Sequence, residues 1–114
     1  MDLNELAAAV HDNAKAKGFY ENPPNFPERL ALIHSELSEA LEEWRDGRAP
    51  TDERYIGLRG DGPVKPAGIP SELADVIIRV LDLCAAYGID IGRAVTEKHA
   101  YNLTRPHKHG RARL

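Results

Sequence analysis

Residues 27 to 46 read PERLALIHSELSEALEEWRD, and their spacing decides the fold. Leu30, Ile33, Leu37, Leu41 and Trp44 step by 3, 4, 4 and 3 along one stripe, the repeat of an amphipathic helix, and Gly47 marks its end. On the N-terminal side, residues 2 to 17 carry Leu3, Leu6 and Val10 among five alanines and stop at Gly18, which predicts a first helix. Between the two, Asn22-Pro23-Pro24-Asn25 blocks any continuing helix and reads as a loop. On the C-terminal side, Ser71 is a candidate N-cap for a third helix, with Glu72 and Asp75 in its first turns and Gly88 at its end. Its apolar face combines Leu73, Val76, Ile77, Val80, Leu83 and Cys84. Asp90 is a second capping residue, opening a fourth helix that runs toward Pro106. Residues 47 to 70 hold five glycines and four prolines, too many breakers for a regular element, and read as a long loop. Residues 107 to 114 form a short basic tail. The expected fold is all-α: one domain over residues 1 to 114, a four-helix bundle with a long loop between helices two and three.

Composition narrows the function. The 114 residues carry a formal charge of -3, which argues against the nucleic-acid backbone as the main partner. A single cysteine allows neither an intramolecular disulfide nor a four-cysteine metal site. The start, Met1-Asp2-Leu3-Asn4-Glu5, lacks the basic and apolar segments of a secretory signal, and no apolar run approaches the roughly 20 residues of a membrane span. A soluble, cytoplasmic protein without a membrane partner is expected.

Chemistry concentrates in two carboxylate pairs, Glu36-Leu37-Ser38-Glu39 on helix two and Glu72-Leu73-Ala74-Asp75 on helix three. Residues three apart share a helix face, so each pair can aim its oxygens at one spot, and Glu43 falls on the same stripe between Glu36 and Glu39. On both helices the acidic stripe lies beside the apolar stripe, which brings like charges toward a helix seam where they need a cation. One Glu-x-x-Glu alone is an ordinary surface feature; two pairs beside the core stripe point to a site. Ligands that are all carboxylate suit a hard ion, Mg²⁺ or alternatively Mn²⁺, and the absence of Glu-x-x-His disfavours di-iron. On helix four, Lys98, Asn102 and Arg105 follow i, i+4 and i+7 spacing and offer one cationic face for phosphate.

With those residues in hand, a resemblance becomes specific. Ala31 to Trp44, Gly68 to Arg79, and Glu97 to Asn102 with Arg105-Pro106 and His109-Gly110 resemble the MazG-like branch of the all-α nucleoside triphosphate pyrophosphohydrolases. The signature is Glu-x-x-Glu followed by Glu-x-x-Asp, and the likeness runs from about residue 27 onward. It implies a Mg²⁺-dependent hydrolase of nucleotide metabolism that cleaves a nucleoside or deoxynucleoside triphosphate to the monophosphate and pyrophosphate. By the same match Glu36, Glu39, Glu72 and Asp75 are the metal ligands, while Lys98, Asn102 and Arg105 meet the phosphates or sugar. The stretch between the two pairs is longer than in compact members of the family because of the 47–70 loop, which touches substrate choice more than metal binding.

An acidic cage binds a triphosphate only through bridging cations, which also polarise the phosphoryl oxygens and acidify a bound water. Glu36, Glu39 and Glu43 are all candidates for the carboxylate that orients that water. Tyr101 or Trp44 could stack a base, Trp44 being better suited to a core or subunit contact. Arg59 and Lys65 in the long loop are candidates for reaching phosphate. Cys84 reads as a plain core residue, His11 and His34 show no partner, His107 and His109 read as a solvated tail, and nucleic-acid binding through Arg111 and Arg113 is disfavoured by the net negative charge. Four helices with a breaker-rich loop cover one subunit thinly, so a homodimer or homotetramer is expected, with sites in or near the interface. Two other readings remain: a phosphoribosyl-ATP pyrophosphohydrolase of the same superfamily, and a non-enzymatic helical interaction module.

Overall fold

The computed structural model describes residues 1–57 and 64–110. Arg59, Arg111, Arg113 and the side chain of His109 lie outside what it describes. Among the described residues the chain forms four α-helices, α1 (Leu3–Ala16), α2 (Phe26–Arg45), α3 (Ile69–Ala86) and α4 (Ile91–Thr104), with a two-stranded sheet, β1 (Arg54–Ile56) and β2 (Lys65–Ala67), between α2 and α3. A short 3-10 turn, His107–Gly110, follows α4. The all-α, four-helix expectation holds.

Helix starts are set by local polar chemistry. The Asp2, Asn25 and Asp90 side chains accept from the backbone N–H groups of Glu5, Glu28 and Arg93, three residues on in each case. The start of α3 corrects the sequence reading: Ser71 is not its cap. Pro70 fits the first turn of a helix, where its missing N–H is not needed, so the helix begins at Ile69 with Gly68 at the cap position. The Ser71 hydroxyl instead donates to the Pro66 carbonyl at 3.1 Å, tying β2 to the helix.

Gly68 sits at φ 105°, and a Cβ there would run into the Asp52 carbonyl. The backbone of residue 52 therefore closes over the start of α3 only because position 68 has no side chain. Gly68→Ala is expected to lower stability by about 2 kcal/mol or more, read as a shifted midpoint in urea unfolding. A change below about 0.5 kcal/mol would remove this role.

The segment from 47 to 70 is not entirely irregular. Arg54 pairs with Ala67, Tyr55 with Pro66 and Ile56 with Lys65 in antiparallel register. Three-residue strands are too short to show alternation in sequence, and their pairing depends on where α2 and α3 bring their ends. Arg54 also anchors the hairpin to α2, its NH2 group lying 3.2 and 3.1 Å from the two Glu43 carboxylate oxygens.

Packing departs from the sequence pattern in one informative way. α3 is the central helix, with α1 and α2 laid against it. The face of α2 turned inward runs Arg29, Ile33, Glu36, Ala40 and Glu43, with Ala40 buried. Leu30, Leu37, Leu41 and Trp44 lie about 90° further round the helix and stay 43, 51, 48 and 58% exposed. The core is correspondingly small: Ala7, Ala40, Ile69, Leu81, Leu83 and Cys84 are the buried apolar residues among those described. α4 rests on α1 and makes no extended contact with α2 or α3. It is fixed at its start, where Asn4 donates to Asp90 at 2.8 Å and accepts from the Gly92 N–H at 3.0 Å. None of its residues is buried.

Candidate metal centre and adjoining cavity

The seam between α2 and α3 brings three of the predicted ligands together. Glu36, Glu39 and Glu72 each offer an oxygen, and those oxygens lie within 4.8 Å of one another. The geometry follows from the helix periods: Glu36 and Glu39 occupy successive turns of α2, while Glu72 is held in the first turn of α3 by the early start at Ile69. Asp75, one turn further along α3, lies outside that triangle yet within electrostatic reach of Glu36.

The titration of these groups reports their crowding. Glu72 is pushed up to about 7, first by burial, then by a hydrogen bond to Glu39 and the charges of Glu39, Asp75 and Glu36. Asp75 is raised as well, by burial and by Glu36, while Arg79 and Lys65 pull it back down. Lys65, placed by β2, thus stands near the acidic cluster as a loop cation. Because the folded-state value of Glu72 lies above its ordinary 4.5, the stability it contributes is full at low pH and lost as the pH rises through about 7. In the presence of chelator the protein is therefore expected to melt at a lower temperature at pH 8 than at pH 5. Glu72→Gln should flatten that difference; an undiminished slope in the variant would assign it elsewhere.

Glu43 stands apart from the cluster. Its carboxylate is occupied by Arg54 and by Arg48, whose Nε lies 3.7 Å away, so it holds the hairpin and the end of α2 in place. The predicted helix-four set is also elsewhere. Lys98 and Arg105 bracket the Tyr101 ring at 5.4 and 5.7 Å, forming a cation–π cluster with Asn102 beside it on exposed α4. Within one chain Lys98, Tyr101, Asn102 and Arg105 do not join the carboxylates, because α4 packs along α1. Trp44 is exposed rather than core, and Cys84 is buried as read from sequence.

Next to the carboxylates lies a cavity of about 670 Å³ between α1, α2 and α3. Glu36 and Asp75 form its acidic end; Val10, Leu32, Ile78 and Leu83 supply apolar wall, and the exposed Phe19 ring stands at its edge. Glu39 and Glu72 face a shallower groove of about 380 Å³ on the other side, so the cluster divides two depressions.

A polar network at the cavity wall, through Arg29 and Asp82, escaped the sequence reading. His11 Nδ1 lies 2.8 Å from Asp82 Oδ1, the Tyr20 hydroxyl donates to Asp82 Oδ2 at 2.8 Å, and Arg29 donates to the Tyr20 oxygen at 2.8 Å while stacking on that ring. Burial and the Asp82 carboxylate push the Tyr20 hydroxyl up to about 12, so it stays protonated as a donor. His11 therefore has a partner, contrary to the sequence expectation. No spacing signal could have paired it with a residue 71 positions away. Compared with protein-family models, with curated proteins and with solved structures, the chain matches none of them.

Proposed function

We propose that the protein is a Mg²⁺-dependent nucleotide pyrophosphohydrolase of the MazG-like kind, hydrolysing nucleoside or deoxynucleoside triphosphates to the monophosphate and pyrophosphate. The observation that carries the reading is the triangle of Glu36, Glu39 and Glu72 oxygens, within 4.8 Å of one another, beside a cavity large enough for a nucleoside. Oxygen ligands of Mg²⁺ sit about 2.1 Å from the ion and hence at most about 4.2 Å apart, a spread these side chains reach by small rotamer changes. The raised Glu72 supports the same reading, since carboxylates this close ionise together only when a cation joins them.

In this assignment Glu36, Glu39 and Glu72 hold the ion and Asp75 completes the set from the cavity side. The ion, when bound, neutralises phosphate charge and acidifies water. Glu39, exposed on the groove side, is placed to orient the attacking water and accept its proton, while Glu43 is committed to Arg54 and Arg48. Water attacks one phosphorus of the α–β phosphoanhydride, its proton passes to the carboxylate, the bridging P–O bond breaks, and the monophosphate and pyrophosphate separate. The cavity takes the nucleoside, its apolar wall against the base and its polar groups toward donors and acceptors.

The helix-four cations point to more than one chain. Lys98, Asn102 and Arg105 serve a carboxylate site only if α4 of a second copy reaches it, which fits a homodimer or homotetramer. No described helix is long and apolar enough to cross a membrane, and we place the enzyme in the cytoplasm with the nucleotide pool. The test is hydrolysis of the eight common ribo- and deoxyribonucleoside triphosphates with Mg²⁺, followed by identification of the phosphate released. Pyrophosphate is expected. Orthophosphate as the only product, or no turnover of any of the eight, would overturn the assignment.

A further inference from the structure

Arg79 lies one helical turn beyond Asp75 on α3, and its Nε donates across the α2–α3 seam to Glu36 Oε1 at 2.7 Å. Glu36 is 13% exposed at its side chain and Arg79 is 44% exposed, so a half-free cation reaches in to a nearly covered carboxylate. The same guanidinium lowers the titration of Asp75 and lines the cavity wall. The other arginine of that wall, Arg29, is committed: its Nε donates to the Pro24 carbonyl, its NH1 to Tyr20, and it stands 3.8 Å from Asp82. The terminal nitrogens of Arg79, by contrast, have no hydrogen-bond partner among the described residues.

Two cations cannot share Glu36 comfortably. A divalent ion at about 4 Å from a guanidinium is repelled even at surface dielectric, and it competes for the same oxygen. A guanidinium displaced from Glu36 stays tethered at the cavity, where its planar fork matches two oxygens of a phosphate. We propose that Arg79 is an exchangeable counter-cation: it holds Glu36 in the metal-free protein, yields it to the divalent ion, and then binds phosphate oxygens of the incoming polyphosphate. This inference rests on the metal-dependent reading above. It makes the site weakly receptive to metal alone and strongly receptive to metal together with a polyphosphate. It also assigns the phosphate contact in each chain to a residue on the same helix as Glu72 and Asp75.

The exchange separates two affinities that a merely structural residue would move together. Arg79→Met is expected to bind Mn²⁺ about three- to tenfold more tightly in calorimetric titration, because the competing charge is gone. The Mn²⁺-loaded variant should bind inorganic pyrophosphate at least about tenfold more weakly, because the charged fork is gone. Arg79→Lys keeps the charge and loses the fork, so it should hold Mn²⁺ within about twofold of the unaltered protein and bind pyrophosphate about three- to tenfold more weakly. Circular dichroism checks that the helices persist, and the lysine variant carries the test should the methionine variant fail to fold. If metal and pyrophosphate affinities fall together, or neither moves, the exchange is wrong while the metal-dependent reading stands. If the unaltered protein shows no saturable Mn²⁺ uptake, both fall.

Discussion

Glu39→Gln is expected to reduce Mg²⁺-dependent pyrophosphate release by a factor of about 100 to 1,000, a loss on the scale seen when one group that stabilises charge in the transition state is removed. The amide keeps the size of the side chain and its helix propensity, and Glu39 is exposed on α2, so helix content and melting temperature should barely move. What changes is charge. The amide removes one of the three converging carboxylates and leaves the position with only a neutral oxygen to offer a hard cation. It also removes the leading charged neighbour of Glu72, whose titration should fall back toward its ordinary range. Asp75→Asn should cost activity by a comparable factor through the cavity side of the cluster. Steady-state release of pyrophosphate, measured beside a Mn²⁺ titration, separates lost metal from lost chemistry. Full activity in both variants would sink the assignment of these carboxylates.

Leu37→Glu and Ile77→Glu are expected to convert the assembled protein to single chains, with the helices retained. The chain exposes 8679 Å² where a monomer of 12.6 kDa ordinarily exposes about 6,200 Å², and its radius of gyration is 17.1 Å where about 13 Å is usual for this length. Part of the exposed apolar surface lies on the two helices of the carboxylate seam: Leu30, Leu37, Leu41 and Trp44 on α2, Leu73 and Ile77 on α3. Six small or medium buried residues make a small core for one chain, so association should add to the stability of the folded subunit. A glutamate placed in such a contact carries a charge out of water at a cost of about 3 kcal/mol, about a hundredfold in Kd, and a symmetric dimer contains each substitution twice. Sedimentation velocity at micromolar protein should show a dimer or tetramer for the unaltered chain and a single-chain species, with a lower melting temperature, for the variants. An unaltered chain that sediments as a stable monomer would remove the partner copy.

The carboxylate pairs were legible because residues three apart share a helix face, and Glu36/Glu39 and Glu72/Asp75 each fall within four residues. Asp90 was legible as a cap for the same reason: the bond it accepts is three residues away. What could not be read were relations between segments. Periodicity places Leu30, Leu37, Leu41 and Trp44 on one stripe but does not say which stripe meets α3. Ala40, small enough to let the helices close, turns the inward face toward Glu36 and Glu43 and leaves the leucine stripe outside. The role of Glu43 depended on Arg54, which reaches it only through a hairpin whose strands carry no pattern of their own.

The sequence by itself determined that this is an all-α chain of four helices, where those helices stop at their C-terminal ends to within about two residues, and that two of them bear paired acids beside apolar positions. Those are properties of local backbone chemistry and of repeats shorter than a helical turn or two, so they are written into neighbouring residues. Only the tertiary structure decided that Glu36, Glu39 and Glu72 converge, that Arg79 rather than Lys98 or Arg105 is the cation beside them, and that His11 meets Asp82 at the cavity wall. Each of these is a contact between helices, fixed by how α1 and α2 rotate and settle against α3, and burial against a neighbouring surface sets that rotation.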